Sequence, residues 1–96
     1  MDGLKDELAA YVDVLAKSLA GTHRAEDRNL YMQHLAASAL MFRLLQTGAP
    51  STELERWLDD ERRVYGWSCR VGAEGRAADA AIERFAAAVE QVAADH

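Results

Sequence analysis

Apolar residues recur at three- and four-residue steps through the start of the chain: Leu4, Leu8, Tyr11, Val12, Leu15 and Leu19. That spacing puts them on one face of a helix. It predicts a first helix over about residues 3–19, with Asp13 and Lys17 placed to pair at i,i+4 outside and Gly21 to stop it.

The second segment has a different pattern. Thr22 is a plausible N-cap, and Glu26 and Asp27 lie in early turns, where a helix favours negative charge. The helix is predicted over about residues 23–47, with Gly48 ending it and Pro50 blocking continuation. On a helical wheel Leu30, Tyr31, Leu35, Met41, Phe42 and Leu45 fill one side, and Ala37, Leu40 and Leu44 extend it. The apolar arc covers roughly 200°, about twice the stripe of a surface helix. Such a helix needs cover on several sides, from its own chain or from a second one. The expectation is a homodimer, with Tyr31, Leu35, Phe42 and Leu45 as interface residues.

Thr52-Glu53-Leu54-Glu55 matches a capping box and opens a third helix over about residues 53–65. Leu54, Trp57, Leu58 and Tyr65 mark its buried face. Asp59, Asp60 and Glu61 read as a solvated acidic run, with Asp59 placed to pair with Arg63. A glycine-containing loop leads to a fourth helix over about residues 74–94, whose stripe is Ala78, Ile82, Phe85, Val89 and Val92. Ala86 and Ala93 lie beside that stripe and permit close approach. No alternating β-branched run and no hairpin dipeptide is present. Short connections favour antiparallel neighbours. The predicted fold is all-α: an antiparallel four-helix bundle, with the second helix central.

Composition narrows the function classes. Ninety-six residues make one domain, and half of them are hydrophobic, with alanine prominent. Large core anchors are therefore scarce. A formal charge of −5 argues against general nucleic-acid binding. The single Cys69 excludes an intramolecular disulfide and a cysteine-only metal site. Charges crowd the first residues, and Gln33, His34, Arg43 and Gln46 interrupt the most apolar helix. The reading is a cytoplasmic protein with no membrane span.

Residues with chemical capacity are few. His34 falls in the middle of the apolar arc, where it reads as a core histidine with Ser38 or Tyr31 in reach. His23 and Asp27 share an i,i+4 spacing, but two ligands on an exposed turn do not make a metal site. Gly66-Trp67-Ser68-Cys69-Arg70 lacks the last glycine and the preceding strand of a nucleophile elbow. Neither His34 nor Cys69 has a visible second member of a catalytic set. No catalytic residue, metal or cofactor is expected. Residues 62–76 carry a local charge of +3 on an acidic chain. There Arg62, Arg63, Arg70 and Arg76 are interleaved with Tyr65 and Trp67, a composition suited to a protein partner or a bound anion. The sequence thus predicts a non-enzymatic protein–protein interaction module that self-associates. An anion- or small-ligand-binding module built on these arginines is the alternative.

Overall fold

Four helices run through the residues described by the computed structural model, residues 2–64 and 75–94. They are α1 (Asp2–Gly21), α2 (Ala25–Gln46), α3 (Ser51–Val64) and α4 (Gly75–Ala94). No strand occurs among the described residues, so the fold class is all-α. No helix there is long and apolar enough to cross a membrane.

The periodic residues are the core. Leu4, Leu8, Tyr11 and Leu15 of α1 are fully buried, as are Ala78, Ala81, Phe85 and Val89 of α4. Removing each leucine side chain from water is worth about 2 kcal/mol, offset by the chain entropy lost on folding. The alanines of α4 let its axis approach α1 closely, and this pair makes the most extensive packing. Next comes α1 against α2. Helix α3 meets α4 and α2 over smaller contacts. Among the described residues α1, rather than the expected α2, is therefore the most heavily packed helix. The molecule measures 43 × 21 × 20 Å, and a 22-residue helix rises about 33 Å.

Each junction has its own local chemistry. At the end of α1 the Arg28 guanidinium donates through Nη1 to the carbonyls of Leu19 and Thr22, both at 3.0 Å. A charged donor thus joins the Thr22 N–H, at 3.3 Å, on the Leu19 carbonyl and serves the Thr22 carbonyl just past the helix end. Thr22, expected as the N-cap of α2, is buried instead; α2 is preceded by Arg24 in extended conformation with no side-chain cap bond. At the other end of α2, Gly48 has φ +70°. The Ala49 N–H donates to Leu44 O at 3.0 Å, and the Gly48 N–H to Leu45 O at 3.4 Å. These are the two bonds of a Schellman cap, and glycine is there because L side chains avoid that backbone conformation. Helix α3 opens one residue before Thr52. The Pro50 carbonyl accepts from the N–H groups of Glu53 at 2.9 Å and Leu54 at 3.4 Å, so Thr52 lies within the first turn.

Helix α2 buries a single stripe: Tyr31, His34, Ser38, Met41 and Leu45. Leu35 and Phe42 on one flank, and Leu30, Ala37 and Leu44 on the other, are half-buried against the core. The wide apolar arc is thus divided into a covered centre and two partly wetted edges.

Candidate functional site

Three helices bring polar side chains to one buried point. Tyr11 from α1 donates its hydroxyl proton to Glu61 Oε2 at 3.4 Å. His34 Nδ1 from α2 lies 3.3 Å from the same oxygen. Glu61 itself comes from α3. Their exposures are 0%, 4% and 6%, so all three are interior. Ser38 is also buried, but its hydroxyl donates to the backbone carbonyl of His34 at 2.8 Å, one turn back on the same helix. It therefore serves the helix backbone and not the imidazole.

Burial pushes the Glu61 carboxyl up from 4.5 to about 8. Desolvation is the largest cause, because a charge is poorly solvated in the core. The Tyr11 hydrogen bond opposes the shift and the neighbouring Asp60 charge adds to it. Through the neutral range the carboxyl retains its proton.

The inward position of Glu61 corrects the sequence reading, which left it on a solvated acidic face. The signal was present in the register. Leu54, Trp57, Leu58 and Glu61 follow i, i+3, i+4, i+7, and all four are buried. Glu61 simply continues the apolar stripe, while Asp59 and Asp60 point outward. The run of three acids concealed the one that turns in. His34 is a core residue, as expected, and its Nδ1 meets the Glu61 carboxyl of α3, twenty-seven positions on in the chain.

Trp57 fastens α3 in a second way. Its indole Nε1–H donates to Ala37 O of α2 at 2.9 Å. Its ring meets Phe85 of α4 edge-on, with centroids 5.9 Å apart and planes at 84°, a favoured aromatic geometry. Beside it runs a shallow apolar groove between α2 and α3, lined by Leu40, Leu44 and Trp57 and rimmed by Glu53, Arg56 and Asp60. Leu40 is 54% exposed. A second depression is polar, with Arg24, Glu26, Asp27 and Gln33 in its wall, and a third lies between Leu4 of α1 and Ala88 and Val92 of α4. None of these three grooves has Tyr11, His34 or Glu61 in its wall.

The residues expected at a dimer interface are distributed differently. Tyr31 is 0% and Leu45 7% exposed, covered by their own chain; these two are core residues. Leu35 and Phe42 are half-buried. Among the described residues the exposed large apolar ones are Met32 and Leu40. On the wheel of α2, Leu40 and Leu44 lie on the flank opposite Leu35 and Phe42. Of the arginine-rich segment, Arg76 is exposed in the first turn of α4. Tyr65, Trp67, Cys69 and Arg70 lie outside the described residues, as do the side chains of Arg62 and Arg63. No group of three or more metal-ligating side chains occurs among the described residues.

Comparison with known proteins returned no match to a family model, a curated protein or a solved structure.

Proposed function

We propose that this chain is a non-enzymatic helical interaction module of the cytoplasm that associates with a second copy of itself through the α2–α3 groove. The observation that carries the reading is the exposed Leu40 at the mouth of an apolar groove floored by Leu44 and Trp57. The rim favours a second copy as occupant. It presents both signs of charge, Glu53 and Asp60 beside Arg56, and Arg56 makes no ion pair among the described residues. A two-fold axis through the groove would set Arg56 of one copy against the acids of the other, the self-complementary pattern of an isologous interface. A strongly basic or acidic partner would instead face like charge at part of this rim.

The proposed arrangement is an antiparallel bundle. The three-residue link from Gly21 to Ala25 supports this, since α1 and α2 also pack against each other. The non-enzymatic part rests on the interior location of the chemically capable cluster, which none of the three surface grooves reaches.

Sedimentation velocity over a concentration series tests the reading. The wild-type chain should sediment as a dimer at high concentration, and Leu40→Glu should weaken association at least tenfold, on the order of a hot-spot loss, with helicity unchanged. A chain that stays monomeric throughout, or a Leu40→Glu dimer as tight as wild type, overturns it.

A further inference from the structure

We propose that the second copy docks by its own α2, laid antiparallel on the outer face of this α2 about a two-fold axis beside Ala36, so that Met32 of each copy packs on Leu40 of the other. This rests on the self-association reading above and names the segment of the partner that meets Leu40.

The outer face of α2 carries the observation. Met32 is 55% and Leu40 54% exposed, and among the described residues these are the exposed large apolar ones. Both belong to α2. They lie about 12 Å apart along the helix and about 80° apart around it, so they share one side. Ala36 falls midway between them in height and in angle, and it is exposed, as is Ala39. On the helical wheel Ala36 stands opposite the buried stripe of Tyr31, His34, Ser38, Met41 and Leu45. This side of α2 therefore faces away from the core of its own chain. Covering its apolar side chains removes them from water, which favours association.

The spacing selects the occupant. A two-fold axis beside Ala36 turns α2 end for end and brings each residue level with one equally far beyond Ala36 in the other copy. Met32 then meets Leu40 twice, the reciprocal pattern of an isologous interface. Ala36 meets Ala36, and a methyl group at that point lets the two helix axes approach to about 8 Å. Charge agrees with this direction. Arg43 is exposed and makes no ion pair among the described residues. The axis sets it level with Asn29 of the other copy and within one turn of that copy's Glu26, whose side chain is 88% exposed. Glu26, Asn29 and Gln33 share a flank of α2 with Leu40 and Leu44. The axis keeps that flank on the same side in both copies, so Glu26 of one copy approaches Arg56 at the groove rim of the other. A parallel pairing would instead set Arg43 against Arg43 and gain no opposite charge.

Disulfide trapping in the full chain, with Cys69→Ser so that no native thiol competes, tests the pairing. Under mild oxidation Ala36→Cys should form a linked dimer about tenfold or more faster than Ala87→Cys, exposed on α4, because its two Cβ atoms meet at the axis within disulfide reach. Leu40→Cys alone should not bridge, since its two copies stand about 12 Å apart along the helices. Leu40→Cys mixed with Met32→Cys should. In sedimentation Met32→Glu should weaken the dimer about tenfold or more, with helicity unchanged. A dimer that bridges at Leu40→Cys and not at Ala36→Cys, or that tolerates Met32→Glu without loss of affinity, overturns the antiparallel α2 pairing and leaves association through the groove standing. A chain that is monomeric at every concentration removes both.

Discussion

At the residue scale, two positions isolate single physical effects. A Cβ added at Gly48 would meet nothing within 4 Å, so Gly48→Ala tests backbone conformation alone. With φ at +70°, an L side chain there costs about 1–2 kcal/mol. For a domain of this size each kcal/mol lowers the melting temperature by roughly 4–8 °C, which calorimetry will resolve. An unchanged melting temperature would mean that the Schellman cap is not formed in solution. Trp57 separates a hydrogen bond from a packing contribution. Trp57→Phe removes the indole N–H from Ala37 O and should cost about 1 kcal/mol in urea unfolding. Trp57→Ala also abandons the contact with Phe85 and should cost about 3–5 kcal/mol. Equal losses in the two variants would show that the indole bond, and not the ring, carries the effect. Glu61 was half-legible at this scale. Its heptad position placed it inside, whereas its chemistry argued for outside, and only the neighbours supplied by other helices reconcile the two.

Among the elements, helix ends are better specified than helix partners. The Gly48–Pro50 punctuation and the Lys17–Asp13 pair, found at 2.8 Å, are local features that three or four residues determine. The end of α1 differs. Gly21 is within the helix, and the carbonyls of Leu19 and Thr22, on either side of it, accept from Arg28, seven residues past the end of α1. Arg28→Ala should destabilise by about 1 kcal/mol, since two charge-assisted bonds at an exposed helix end are lost. The effect should shrink in high salt. If chemical denaturation shows no loss at low salt, water serves those carbonyls equally well. The capping box at Thr52–Glu55 was displaced by two residues: α3 starts at Ser51, and the Pro50 carbonyl takes the N–H groups of Glu53 and Leu54.

For the whole molecule, the question is which apolar surface remains after folding. The wheel of α2 weighted Tyr31, Leu35, Phe42 and Leu45 as surplus. Folding buried Tyr31 and Leu45 in the core and left Leu40 exposed on the other flank. The proposed self-association is thereby moved from one side of α2 to the α2–α3 groove. A paired experiment keeps the two faces apart. Phe42→Glu should lower stability with little effect on sedimentation of the folded fraction, whereas Leu40→Glu should do the reverse. The opposite pattern would return the interface to the Leu35–Phe42 side.

By itself the sequence determined the helices, their approximate limits and most of the core, because a 3.6-residue period and a glycine at positive φ are short-range constraints. It did not determine which helix is most enclosed. That depends on how the faces meet in three dimensions, and among the described residues the most extensive pairing is α1 with α4. Nor did it assemble the Tyr11–His34–Glu61 cluster, whose members lie up to fifty positions apart. Tertiary packing alone decided that one of three consecutive acids would lose its water and keep its proton, since desolvation is a property of surroundings and not of the residue.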